Sequence, residues 1–302
     1  MPERQICIYH GGCVDGFTSA WIAWRATHGN IDPVAGVYGE PPPDVKGRDV
    51  LMLDFSYPAD VIADMARVVN KMLILDHHKT AEKNLFQWTR PFPLDDDEFV
   101  LKPGETRAHF DMMRSGAGMT WDYFYPSGNP RPRLVNHVED RDLWTFNALG
   151  TREIGAVLYS HEFDFLTWES LMIEMEDEDS YRRLISQGEA IDRAHKRNCE
   201  HLIRRACRPM KIANQIVPVV NAPYFMSSDI GNMLASNSTN GSRIGATYYD
   251  DMDGKRIFSI RSTKDGPDVS DIAVRYGGGG HKNAAGFTAP HPNWLGEQDG
   301  PA

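Results

Sequence analysis

The stretch Ile74-Leu75-Asp76-His77-His78 decides how this chain reads: a short apolar run ends in a carboxylate and two adjacent imidazoles. Two other apolar runs end in the same way. Ile6-Cys7-Ile8-Tyr9 is followed by His10, and Val50-Leu51-Met52-Leu53 by Asp54. Short apolar runs bounded by polar residues read as strands of a parallel sheet buried on both faces. In open α/β sheets, ligands bind beyond the carboxyl ends of the strands. Three strands that each deliver a His or Asp at that edge predict one site, and imidazole with carboxylate suits Mn, Zn or Fe.

The alternation around these runs predicts a doubly wound parallel sheet. Residues 17–26 read as a helix. Pro58 opens another from 59 to about 69, with Asp60 in its first turn, where a carboxylate suits the helix dipole. A third runs over 115–124. Residues 80–107, rich in Pro and charge, read as a long loop with the makings of a lid. The segment 168–207 is helical and highly charged and reads as a linker. Beyond it, 216–220, 243–249 and 256–261 read as strands, 252–255 as a turn, and 229–234 and 270–276 as helices. The expected boundaries are therefore 1–165 for a first domain, 166–208 for a helical linker, 209–290 for a second α/β domain, and 291–302 for a disordered tail.

A second signal lies far downstream, at Gly277-Gly278-Gly279-Gly280-His281-Lys282-Asn283-Ala284-Ala285-Gly286-Phe287. Four glycines allow positive φ and close approach to a ligand, and successive N–H groups can form an anion-binding concavity. His281 and Lys282 add donors beside it. A glycine run on its own is as often a flexible turn.

Together the two segments resemble the DHH phosphoesterase superfamily, in those members that carry a DHHA1 domain, over roughly residues 5 to 288. That group includes RecJ-type exonucleases, oligoribonucleases and cyclic-dinucleotide phosphodiesterases. The resemblance implies a parallel-sheet DHH domain and a smaller α/β DHHA1 domain joined by a helical linker, with the active site in the cleft. It implies metal ligands at His10 and Asp15, from His10-Gly11-Gly12-Cys13-Val14-Asp15-Gly16-Phe17, and at Asp54, whose carboxylate bridges two metals. It adds Asp76 and His77 as ligands and His78 as a catalytic group facing the substrate. A single Asp completes the set. Val138-Glu139-Asp140-Arg141-Asp142-Leu143-Trp144 offers two, of which Asp140, nearer the apolar Leu134-Val135, is favoured. Arg261, Gly278, Gly279, Gly280 and His281 are implied in substrate binding, with Ser262 and Ser227 as weaker candidates. The chain departs from the pattern in one respect. A second Asp is usual in the first motif, two residues before or after the matching one, and Cys13 and Phe17 stand there. The second metal would lose a ligand unless Cys13 coordinates as a thiolate. The implied cofactor is Mn²⁺, as two ions, with Mg²⁺, Co²⁺ and Fe²⁺ as alternatives.

The chemistry fits these residue types independently. Two metals roughly 3.5–4 Å apart clamp the attacking and leaving oxygens of an in-line displacement and lower the pKa of bound water toward about 7. An unligated His near the leaving oxygen can act as general acid. Composition sets bounds on the rest. With 302 residues, two domains each have room for a core. No apolar run approaches the roughly 18 residues of a membrane span, and no signal-peptide layout is visible, so a cytoplasmic protein is expected. Four cysteines show neither metal spacing nor a disulfide framework. The net charge of −10 argues against a groove for duplex DNA. It leaves room for a short single-stranded oligonucleotide or a (cyclic) dinucleotide as partner, and for a homodimer. The acidic runs 95–98 and 174–179 read as solvated surface. Trp21, Trp24, Trp121 and Trp144 read as core rather than as base-stacking platforms, and His109, His137, His161, His195 and His201 as structural or exposed. The expected function is a metal-dependent phosphodiesterase. Phosphomonoester or phosphoanhydride hydrolysis, and a non-catalytic nucleotide-binding module, stay open.

Overall fold

A computed structural model describes residues 4–91, 101–126, 129–238 and 241–289. The acidic run 95–98 and the expected disordered tail lie outside the described residues. The chain divides into two compact units, Met1–Asp192 and Arg193–Ala302.

The first unit is built on β1 (Gln5–His10), β2 (Ile31–Gly36), β3 (Asp49–Leu53), β4 (Lys71–Asp76), β5 (Thr89–Arg90) and β6 (Thr106–Phe110). These form one sheet in the order β2-β1-β3-β4-β6-β5, with every pair parallel. Its helices are α1 (Val14–Ala26), α2 (Ala59–Ala66), α3 (Lys79–Asn84), α4 (Gly116–Phe124), α5 (Arg133–Asp142), α6 (Thr151–Ser160) and α7 (Phe165–Glu176). The central strands are apolar throughout because both faces are covered. Ile6, Ile8, Val50, Met52 and Ile74 pack with Ile62 and Met65 of α2. The alternate residues Cys7, Leu51, Leu53, Leu73 and Leu75 pack with Ala20 and Ala23 of α1 and Met119 of α4. Each such side chain contributes about 1.5–3 kcal/mol on burial, which fixes the register and so aligns the strand ends.

Three expectations need correction. β2 was not anticipated, because Pro33 interrupts it. The strand lies at the sheet edge, where a missing N–H is tolerated. Residues 80–107 are not simply a loop, since they contain most of α3, all of β5 and the start of β6. Pairing of β6 with β4 overrides a local pattern that looked polar, and His109 within it is buried. The linker boundary also shifts. α7 buries Trp168, Leu171, Met172 and Met175 in the same core as Trp21, Trp121, Leu134 and Val138, so it belongs to the first unit.

α8 (Glu178–Ala206) runs across the division between the units. The second unit continues with β7 (Arg208–Ile212), β8 (Gln215–Asn221), a short 3-10 helix (Tyr224–Met226), α9 (Ser227–Ser236), β9 (Ile244–Asp250), β10 (Arg256–Ser262), α10 (Val269–Val274), β11 (Gly279–His281) and β12 (Ala284–Ala289). Its mixed sheet has the order β11-β12-β10-β9-β8-β7. Only β8 and β9 pair in parallel among the described strands of this sheet. Val219, Ala246, Phe258, Ile260, Ile272 and Phe287 are at the centre of its core. Among the described residues, no helix is long and apolar enough to cross a membrane.

Candidate metal centre

Parallel pairing of β1, β3 and β4 sets Tyr9 beside Leu53 and Leu53 beside Leu75. The next residues, His10, Asp54 and Asp76, therefore emerge together at the carboxyl edge, and His77 follows. Asp54 takes a left-handed backbone conformation (φ 55°), uncommon for a residue with a Cβ, and its N–H donates to the Leu75 carbonyl at 2.9 Å. That bend turns its carboxylate into the edge. His10 Nδ1 lies 3.4 Å from Asp54 Oδ2. His77 Nε2 lies 3.0 Å from Asp54 Oδ1, 3.5 Å from Asp142 Oδ2 and 3.8 Å from Asp15 Oδ2.

Two sets of donor atoms result from residues of the first unit alone, each with its atoms within 4.8 Å of one another: His10, Asp54 and His78, and Asp15, Asp54 and His77. Asp54 is common to both. The residues fit divalent metal by two tests. Asp54 Oδ1 is buried and receives no hydrogen bond from a described residue, although an imidazole nitrogen is 3.0 Å away. Donors that converge on a point without bonding each other are what a cation requires. In addition, no Lys or Arg among the described residues pairs with Asp15, Asp54 or Asp142.

The electrostatics show the same deficit of positive charge. Burial, then the charges of Asp54 and Asp142, push the Asp15 carboxyl well above its ordinary range. Partial removal from water, with its side chain still 25% exposed, also raises Asp142, against the pull of His77. Burial would raise Asp54 too, but the adjacent imidazoles of His10 and His77 hold it well below the usual range. Burial would lower His77, yet Asp142, Asp54 and Asp15 drive it well up. Protons thus take the place that a cation would fill.

Asp76 belongs to neither donor set. Its Oδ1 accepts from the backbone N–H of His77 (2.7 Å) and of His78 (3.2 Å) and lies 2.6 Å from His78 Nδ1. Its Oδ2 accepts from Ser56 Oγ at 2.9 Å. Instead of reaching the donor cluster, it orients His78, as carboxylates behind metal-site histidines do.

Asp140, favoured from sequence, is engaged elsewhere. Its carboxylate accepts from Thr145 Oγ1, the Asn147 and Ala148 N–H groups and Thr151 Oγ1. It staples the loop after α5, and Asp142, the last residue of that helix, stands at His77 instead. Phe17 is packed against Phe163, Phe165 and Trp168, so no donor comes from its position. Cys13 is in neither set, and burial followed by the charges of Asp54, Asp142 and Asp15 drives its thiol well up.

The amino end of α4 went unread. Gly116 and Ala117 N–H donate to Asp15 Oδ2 (2.7 Å) and Oδ1 (3.0 Å), so unpaired helix-end donors hold this carboxylate. A Cβ at Gly116 would collide with Asp54 Cβ. The run Ser115-Gly116-Ala117-Gly118, a capping serine with small residues at a helix start, was the available signal.

In the second unit, Arg261 donates to Ser259 Oγ, the Ile260 carbonyl and Ser228 Oγ. Its stem crosses α9 at Gly231, where a Cβ would come within 2.7 Å of Arg261 Cγ. Arg261 pairs with Ala284, and Ala284 with His281, so the two implied substrate residues occupy one row of the sheet. The glycine run differs from the open cradle expected of it. Gly279 and Gly280 form β11 against β12, and the N–H groups of Gly277 and Gly278 donate to Val274 and Ala273 at the end of α10. Gly278 is required by the close approach of Gly286 and Phe287.

Residues 221–297 match the DHHA1 domain family. An uncharacterised protein of Acanthamoeba polyphaga mimivirus is 32% identical over 304 residues, which cover 94% of this chain and 67% of that protein. Oligoribonuclease NrnB of Bacillus subtilis (strain 168) is 25% identical over 233 residues, 72% of this chain and 52% of that protein. The chain thus spans between about half and two thirds of these relatives' lengths. The solved DHH domain of a protein assigned to a family of ribosomal proteins has a TM-score of 0.55 at 13% identity, covering 94% of this chain and 82% of that one, a likeness of fold. From its DHHA1 match, its relatives and its sheet of strands ending in His10, Asp54 and Asp76-His77-His78, the chain belongs to the DHH phosphoesterase superfamily.

Proposed function

We propose that this chain is a metal-dependent phosphodiesterase that hydrolyses short single-stranded oligonucleotides or (cyclic) dinucleotides, with Mn²⁺ as its ion. The observation that carries this reading is Asp54, one buried carboxylate shared by two donor sets. His10, Asp54 and His78 would hold one ion. Asp15, Asp54 and His77, with Asp142 beside them, would hold the other. Such a pair, when bound, supplies hydroxide near neutral pH and draws off phosphate charge. The histidines favour Mn²⁺ over an all-oxygen ion, with Mg²⁺, Co²⁺ and Fe²⁺ as alternatives.

The side chains do the rest. The α4 N–H groups hold Asp15 in place, and the bent backbone at Asp54 aims its carboxylate. Asp76 fixes the His78 ring through Nδ1, which leaves Nε2 as the atom that His78 would offer to the ion. Within the second unit, Arg261, through its planar fork of donors, and His281 in the same row of the sheet are the groups suited to a phosphate. The net charge of −10 favours short substrates over duplex, and the relative named as an oligoribonuclease points the same way.

The test is turnover of a dinucleotide with Mn²⁺, beside kilobase duplex DNA and beside excess chelator. Cleavage of the dinucleotide that stops in chelator is expected. Undiminished activity in chelator, or faster cleavage of duplex, contradicts the reading.

A further inference from the structure

The loop between α5 and α6 follows directly on Asp142 and carries Trp144 and Phe146. Both take left-handed backbone conformations (φ 58° and 50°), which cost bulky residues energy. The four hydrogen bonds to Asp140 hold the loop in that shape. Trp144, expected from sequence to be core, is only partly buried and lies outside the hydrophobic cluster that contains Trp21, Trp121 and Trp168.

Arg152 faces these rings. Its guanidinium carbon lies 3.7 Å from the Phe146 ring centroid and 5.8 Å from that of Trp144. Arg152 makes no hydrogen bond or ion pair among the described residues. It also stands in the first turn of α6, where the helix dipole disfavours a cation. The ring contact engages the face of the guanidinium, and its edge N–H groups, which have no hydrogen-bond partner among the described residues, suit a phosphate. Partly exposed aromatic rings beside a phosphate ligand can stack a nucleobase.

We propose that Trp144, Phe146 and Arg152 form a nucleotide platform on the first unit, the rings stacking a base and the guanidinium pairing with a phosphate next to the scissile bond. Chain length keeps the Cα atoms of Trp144 and Phe146 within about 7 and 14 Å of that of Asp142, inside the span of a dinucleotide. The proposal rests on the phosphodiesterase reading and adds the residues that recognise the base.

The experiment compares a dinucleotide with analogues lacking one or the other base, on the full chain. Phosphorothioate-linked versions are used for binding by calorimetry and ordinary phosphodiesters for turnover. Wild type is expected to bind the complete dinucleotide about 10-fold more tightly than one abasic analogue. Trp144→Gly, which accepts the left-handed backbone, and Phe146→Leu, which keeps apolar volume, are expected to bring that ratio toward one without changing affinity for the abasic analogue. Arg152→Ala is expected to weaken both about equally, and Arg152→Lys to recover part of the loss. Mn²⁺ binding should match wild type in all four. A base-to-abasic ratio unmoved by both ring substitutions, or unchanged affinity in Arg152→Ala, overturns the platform. Base-preferring binding without turnover leaves the platform standing and sinks the phosphodiesterase reading. Turnover with no base preference does the reverse.

Discussion

Asp54 Oδ1 and His77 Nε2 face each other at 3.0 Å, one residue beyond the ends of two adjacent parallel strands. The two groups do not have the geometry of a hydrogen bond. His77 is ringed by Asp54, Asp142 and Asp15, and the only cations among the described groups at this centre are protonated imidazoles. The arrangement is costly unless a metal binds, because carboxylates gathered in a buried site repel one another.

Asp142 and Asp140 should separate cleanly. Asp142→Asn is expected to lower Mn²⁺ affinity by at least about 10-fold with little loss of stability, since it removes a carboxylate that lacks a cationic partner other than histidine. Asp140→Asn is expected to cost about 2 kcal/mol in urea unfolding, through hydrogen bonds to a charged acceptor, with metal affinity little changed. Metal titration and unfolding of both variants check this.

Gly116→Ala should be disproportionately harmful for one methyl group. The new Cβ meets Asp54 Cβ and approaches Asp15 Oδ2 at 3.0 Å. Overpacking of this kind costs about 1–3 kcal/mol, and here the displaced groups are the proposed ligands. Thermal unfolding together with Mn²⁺ titration should show both a lower Tm and weaker metal binding.

The second unit carries a pH-sensitive contact of its own. His195 Nε2 lies 3.0 Å from Asp229 Oδ2, and that bond, with help from Cys199, raises the imidazole from 6.5 to about 10. A histidine with a raised folded pKa stabilises the fold most below its unfolded value, and the contribution fades as pH rises through the folded value. Stability should therefore decline between about pH 6.5 and 10 in wild type, and decline less in Asp229→Asn. Urea unfolding of both proteins across that range tests the sign.

Much of the centre was legible because parallel strands announce themselves. His10, Asp54 and Asp76 each end a run of buried apolar residues, and such runs have little alternative to a sheet core. Asp142 was harder because nearness in sequence to the apolar Leu134-Val135 favoured Asp140. Those residues lie in α5, and at helical spacing Val135, Val138 and Asp142 share a face, while His137 and Asp140 turn toward Thr151. The grip of α4 on Asp15 spans 101 residues of sequence, and no local pattern encodes a contact of that range. The glycine run was legible as a place of close approach. Its role in strand pairing was not, because successive glycines carry no side-chain alternation that would mark a strand.

The most direct test of the shared-carboxylate centre is calorimetric titration of Mn²⁺ into wild type and Asp54→Asn, each checked for folding by circular dichroism. Two bound ions per wild-type chain are expected, with both lost or weakened by more than about 10-fold in the folded variant. Two ions bound with wild-type affinity in Asp54→Asn would contradict the account.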